Sequence, residues 1–320
     1  SPEATPGTGI RMAVDALDLA FGELALIKLN SEVLEVNTRS LSFHKKVGFT
    51  EEGLFRDQHF DGERRIDVIR LGMLASEWPQ HRVRLKARIA ELDALAARHD
   101  IAPPLPRKIV ILSDADSWIN AAVEDLQMDW MELGHSVHWT HQAKDLPTAD
   151  FCFCLSFGQL VTNETRALFR HTLVVHESAL PAGKGWSPLT WQIIDGCNRI
   201  PVTLFEAVEQ VDSGTIYAQR WIEFEGHELI DELREAQAEA TLELCRWFVD
   251  EYPASVMQGR EQSGEESFYR RRRPTDSALD PEKTIAEQFN LLRVVDNEKY
   301  PAFFVWRGCQ YNLAIKRRFQ

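Results

Sequence analysis

Cysteine is scarce in this 320-residue chain: Cys152, Cys154, Cys197, Cys245 and Cys309 are odd in number and scattered, with no C-x-x-C pair. That spacing argues against a disulfide framework and a zinc ribbon, and it suits a reducing compartment, so the expected location is the cytoplasm. Positive charge is also short. Thirty-six Lys and Arg stand against 49 Asp and Glu, a net charge of −13, which speaks against a surface built to grip nucleic acid. No apolar run approaches the ~20 residues of a membrane span. The polar start "SPEATPGTG" does not read as a secretory leader. Internal repeats are missing, and the one biased tract is the four arginines 270–273. What is present is globular: 44% hydrophobic and 10% aromatic residues, in a chain longer than one core usually serves. Two or more packed units and a small or nucleotide-linked substrate are expected.

The periodicities change along the chain. Ala13, Leu17, Phe21 and Leu24 recur at helical spacing to about Leu26, and "ALIKLNSEVLEV" then reads as a strand. A second helix should begin near Asn37 and stop at Gly48, and "RRIDVIRLGML" reads as a strand. Residues 80–100 form a partly solvated helix, followed by the stiff linker "IAPPLPR". Beyond the linker, strands and helices alternate. "KIVILSD", "HSVHWT", "DFCFCLSF" and "TLVVH" read as strands, which predicts a parallel sheet with helices on its faces. "IPVTLFEA" and "GTIYAQRWIEF" look antiparallel, residues 227–252 helical, and "AFFVW" with "QYNLAIK" a last apolar pair. The expected division is 1–79, a helix and linker over 80–106, an α/β core over 107–252 and a small subdomain over 253–320.

His176 ends the apolar strand, and the carboxyl edge of an open α/β sheet is where ligands bind. After it, "PAGKGWSP" supplies Gly183 and Gly185 for close backbone approach and a Ser187-Pro188 helix start suited to an anion or oxyanion. Asp212 and Gly214 sit in the turn "VDSG", a pattern that any hairpin can carry. Paired, His176 and Asp212 can form a charge-assisted dyad that takes a proton from an attacking amine and stabilises a tetrahedral oxyanion. His135, His138 and His141 alternate faces at a spacing of three and cannot converge on one metal, so no metal site is expected.

"HESALPAGKGWSPLTWQIIDG" followed by "IPVTLFEAVEQVDSGTIYAQ" resembles the 10-formyltetrahydrofolate-dependent formyltransferases over about residues 107–250, with Ser178 to Pro181 and Lys184-Gly185 matching that family's signature. The tail from "RRRRPTDSALD" to "EKYPAFF" is similar to the end of bacterial amino-sugar N-formyltransferases. The resemblance implies a Rossmann-like α/β core with a mostly parallel sheet, 10-formyltetrahydrofolate as co-substrate and a nucleotide-linked dideoxyamino sugar as acceptor. It implies catalytic His176, Asp212 and Ser178, with folate against Gly158, Gln159, Leu160, Val211 and Gly214, and substrate against Lys184, Gly185 and Trp186. The family's Asn-x-His…Asp triad is incomplete here, because Val174 stands where the Asn would be. Ser178 or a backbone N–H is a candidate replacement. Losing one oxyanion donor costs on the order of 100- to 1000-fold in rate.

The amino-terminal segment resembles part of a GNAT acetyltransferase: "GTG" at Gly7 to Gly9 enters a helix, and "NTRSLSFHKKVGF" follows at Asn37 to Phe49. It is most similar to those that acetylate nucleotide-linked 4-amino sugars in pseudaminic acid synthesis, which implies a UDP-linked 4-amino-6-deoxy sugar. Such a segment would use acetyl-CoA only if it works. Ala4 stands where Arg or Gln begins the loop and His44 where a tyrosine acid is frequent, so a structural remnant is the favoured reading. A bifunctional enzyme, a non-catalytic folate or nucleotide-sugar binding module, formyl-folate hydrolysis and a homodimer stay open.

Overall fold

The computed structural model describes residues 8–62, 64–98 and 105–317. They form two compact units, one from residues up to 106 together with 124–136, the other from 107–123 and 137 onward.

The first unit runs α1 (Thr8–Asp18), a short π-helix (Leu19–Glu23), β1 (Lys28–Leu34), α2 (Thr38–Val47), β2 (Thr50–Phe60), β3 (Arg65–Leu74) and α3 (Trp78–Arg98). The first helix starts and ends earlier than its apolar spacing predicted. α2 has the expected ends. Asn37 accepts the Ser40 N–H at its start, and Gly48 closes it at φ 118°, where an added Cβ would strike the His81 ring at 2.5 Å. The sheet order is β1-β3-β2, antiparallel throughout. β2 was not foreseen, because "TEEGLFRDQHF" has no alternation of buried and exposed positions: every residue of this edge strand is exposed. Ile10, Val14, Leu17, Val47, Met73, Trp78 and Leu85 make the core. Gly7 and Ala4 of the proposed loop lie outside the described residues.

The second unit contains β4 (Lys108–Leu112), the start of α4 (Asn120–Glu132), β5 (Ser136–Thr140), β6 (Ala149–Cys154), α5 (Asn163–Arg166) and β7 (Phe169–His176). After these come β8 (Lys184–Gly185), α6 (Pro188–Ile194), β9 (Arg199–Glu206), β10 (Ile216–Glu223), α7 (Ile230–Asp250) and α8 (Ala254–Met257). The tail adds β11 (Phe268–Tyr269), α9 (Phe289–Arg293) and the hairpin β12 (Ala302–Trp306) and β13 (Cys309–Leu313).

The six-stranded sheet has the order β10-β9-β7-β6-β4-β5. β4, β6 and β7 are parallel, and β9 and β10 join antiparallel, as their sequences suggested. This is the expected α/β fold with a mostly parallel, Rossmann-like centre. The chain leaves β4 toward β5 on one side and β6 toward β7 on the other, so loops diverge at the carboxyl ends of β4 and β6 and open a crevice there. The end of the fold is tied down by the fully buried Arg293, which donates to Asn198 Oδ1 at 2.8 Å and Glu228 Oε2 at 2.9 Å. No helix among the described residues is long and apolar enough to cross a membrane.

Candidate active site

β7 delivers His176 to the carboxyl edge of the sheet. Alternation puts Thr172, Val174 and His176 on one face and His171, Leu173 and Val175 on the other. His176 is only 7% exposed. Its Nε2 lies 2.9 Å from the Gly183 carbonyl and 4.0 Å from Asp212 Oδ2. A carbonyl can only accept, so Nε2 carries the proton and the neutral ring keeps its lone pair on Nδ1. Nδ1 makes no hydrogen bond among the described residues. The arrangement therefore anchors one nitrogen and leaves the other for a reactant.

Asp212 reaches this site because the turn after β9 is pulled tight. Gly214 approaches so closely that an added Cβ would sit 1.8 Å from the Glu206 carbonyl oxygen. Asp212 adopts φ 51°, accepts the Gly185 N–H on Oδ2 at 2.9 Å, and gives its carbonyl to Gln262 Nε2 at 3.0 Å. Gly185 must be glycine for a similar reason: at φ 100°, a Cβ would meet the Tyr269 carbonyl oxygen at 2.4 Å. The parallel pair β8–β11 fixes that approach, with Tyr269 opposite Gly185.

Lys184, assigned to substrate, is 1% exposed. Its Nζ donates to Ser213 Oγ at 2.7 Å and Glu266 Oε1 at 2.6 Å, which ties the strand to the Asp212 turn and to the β11 segment. Trp186 is 41% exposed and follows Gly185 directly. Ser178 is buried; its carbonyl accepts from Thr203 Oγ1 at 2.6 Å, while its own Oγ makes no hydrogen bond among the described residues. Val174 faces Phe205 on β9 and Cys154 on β6 and packs into both apolar clusters beside it, so the position of the expected Asn is filled by core.

On the other side of the crevice, Gly158 donates its N–H to the Asp114 carboxylate at 3.1 Å, linking the loops after β4 and β6. Leu160, in the same loop, and Val211, beside Asp212, expose apolar surface. Gln159, between Gly158 and Leu160, is exposed. A Cβ on Gly158 would stand 3.8 Å from the Trp186 ring, so the ring lies beside this loop.

One polar residue at the site escaped the sequence reading. Burial pushes the Glu177 carboxyl above the usual carboxylate range, against the opposing pull of His176 and of the hydrogen bond from Gln237 Nε2 at 2.7 Å. It follows His176 immediately, and its side-chain partner Gln237 comes from α7, distant in sequence. In the first unit, His44 has both ring nitrogens engaged, Nε2 with Ser31 Oγ at 2.9 Å and Nδ1 with the Ser40 carbonyl at 2.7 Å. Among the described residues no group of three or more His, Cys, Asp or Glu could hold a metal ion.

Residues 135–245, which carry both His176 and Asp212, match the family described as formyl transferase. Three solved structures share the fold. Methionyl-tRNA formyltransferase from Clostridium thermocellum aligns at 18% identity and TM-score 0.55, over 66% of this chain and 93% of that one. A sugar N-formyltransferase from a Shewanella species aligns at 11% identity and TM-score 0.51, over 67% and 98%. HypX from Aquifex aeolicus in complex with tetrahydrofolic acid aligns at 17% identity and TM-score 0.57, over 65% of this chain and 37% of that one. The family match gives residues 135–245 as a formyl transferase domain, and the solved structures share its fold.

Proposed function

We propose that the protein moves a formyl group from 10-formyltetrahydrofolate to the amine of a nucleotide-linked amino sugar, with a UDP-linked 4-amino-6-deoxy sugar as the first acceptor to try. The observation that carries this is the His176–Asp212 pair, 4.0 Å apart at the carboxyl end of β7 inside the matched segment. Gly183 holds the imidazole by its Nε2–H, so Nδ1 faces the reaction. There it takes the proton from the attacking amine as the new C–N bond forms, and returns it to the folate nitrogen as the old C–N bond breaks. Asp212 stabilises the imidazolium between these two transfers. The Ser178 hydroxyl, without a hydrogen-bond partner among the described residues, is the group proposed to hydrogen-bond the carbonyl oxygen in place of the Asn. Leu160, Val211 and the backbone at Gly158 are proposed to seat the folate ring.

The sugar acceptor is supported by the Shewanella neighbour and by the resemblance of the tail. A second reading has its own support. Val174 sits in apolar packing where the Asn is expected, which suits a module that binds folate or nucleotide sugar without turnover. Incubating protein, 10-formyltetrahydrofolate and the amino sugar should add one formyl mass to the sugar. Calorimetric binding of both ligands with no such product would select the binding module. For the first unit, we propose a structural remnant of an acetyltransferase-like domain, since His44 is committed to Ser31 and Ser40. Coenzyme A binding to the full chain would overturn that.

A further inference from the structure

Of the four consecutive arginines, two are consumed by the fold. Arg270 makes a two-pronged pair with Asp276 at 2.6 and 2.7 Å, and Arg272 donates to the Val294 carbonyl at 3.0 Å. Arg271 is different. Its guanidinium lies over the Trp186 ring, 4.7 Å from the centroid, is exposed, and has no acidic partner among the described residues. Trp186 is itself exposed, and its backbone N–H donates to the Tyr269 carbonyl at 3.1 Å, which fixes the main chain from which the ring projects. The residue before it, Gly185, donates to Asp212, so the stacked pair stands one residue from the dyad. A Cβ built on Gly158 would lie 3.8 Å from the Trp186 ring, which places the ring at the crevice between β4 and β6.

The local charges sharpen the point. Lys184 is neutralised by Glu266, and the Asp114 carboxylate is occupied by the Gly158 N–H. Among the described residues Arg271 is an exposed cation with no acidic partner, and it alone of the four arginines lies over Trp186, held flat by an aromatic face in the orientation that serves two-pronged recognition of phosphate. We propose that Trp186 and Arg271 form the subsite for the diphosphate of a nucleoside diphosphate, Arg271 binding the phosphate oxygens and Trp186 holding the guanidinium in place. This rests on the formyl-transfer reading only for what is attached to the diphosphate.

The test is calorimetry on the full chain with UDP, uridine, inorganic pyrophosphate and tetrahydrofolate. UDP is expected to bind and pyrophosphate to compete with it. Arg271→Ala should weaken UDP about 10- to 100-fold, the loss expected for charged hydrogen bonds, with tetrahydrofolate affinity and melting temperature unchanged. Arg271→Lys should recover only part of the affinity. Equal UDP affinity in Arg271→Ala and wild type, or uridine binding as tightly as UDP, would overturn the subsite. If UDP binds through Arg271 but no formylated sugar is made, the subsite stands and the transfer reading falls. If product forms and Arg271→Ala leaves KM for the nucleotide sugar unchanged, the subsite falls and the transfer reading stands.

Discussion

His171 and His176 lie on one strand, five positions apart, each beside a carboxylate, and they face opposite sides of the sheet. His171 binds Glu206 at 2.9 Å beneath α7, within a ring cluster of Phe151, Tyr217, Phe248 and Tyr252. Glu206 is further satisfied by the Tyr217 hydroxyl at 2.7 Å and the Thr172 N–H at 2.7 Å. Burial, with that hydrogen bond, pushes the Tyr217 hydroxyl well above its ordinary range and keeps it a donor. Both carboxylate oxygens of Glu206 are thus engaged by the protein. His176 has a carboxylate at 4.0 Å rather than 2.9 Å, a carbonyl anchoring Nε2, and an unsatisfied hydroxyl nearby at Ser178. A closed network stabilises; an open one at a strand end is built to receive something.

The largest expected effect breaks the open side. His176→Ala and Asp212→Asn should each lower formyl transfer by about 100- to 10,000-fold, the usual worth of a positioned acid or base, with a melting temperature close to wild type. Loss of folding in both variants, read by circular dichroism, would move them to the structural side of the comparison.

Breaking the closed side should do the reverse. His171→Ala strands Glu206 and Tyr217 partners in a covered site and should cost about 1–3 kcal/mol of stability in urea unfolding, while kcat of the folded fraction stays within a few-fold of wild type.

Val174→Asn tests why the open site is incomplete. It introduces the carbonyl-polarising amide at a position now packed between apolar clusters, so kcat should rise about tenfold while stability falls by about 1–2 kcal/mol. An unchanged kcat would mean that another group already fills the role.

The smallest effect concerns pH. The fold favours protonated Glu177, so its contribution to stability is full below the ordinary glutamate pKa and fades as pH rises through the raised value. Glu177→Gln should flatten that decline in denaturation midpoints between mildly acid and neutral pH. A profile as steep as wild type would assign the dependence to other groups.

The two histidines also show what a sequence reveals. His176 stands out because a buried run ends at it, and Asp212 because a tight turn joins two antiparallel runs; both cues are local. His171 looks similar in type, but its role depends on a diagonal neighbour on β9 and on rings from α7, which no local pattern encodes. Lys184 is legible from its motif, but the partner its Nζ meets, Glu266, lies far along the chain. Arg271 drew attention only as one of a basic run; the parallel β8–β11 pairing that sets it over Trp186 spans two residues on each strand and leaves no periodicity. The order of strands in the second unit followed from alternation of strand and helix patterns, while β2 stayed hidden because an exposed edge strand has no buried face to mark it.

The central claim is that function sits with His176 and structure with His171. The direct test is to measure kcat/KM for formyl transfer to the amino sugar in His176→Ala and His171→Ala side by side, each corrected for its folded fraction. The expected result is a loss of at least about 100-fold in the first and retention within a few-fold in the second. A His176→Ala enzyme as active as wild type would contradict it.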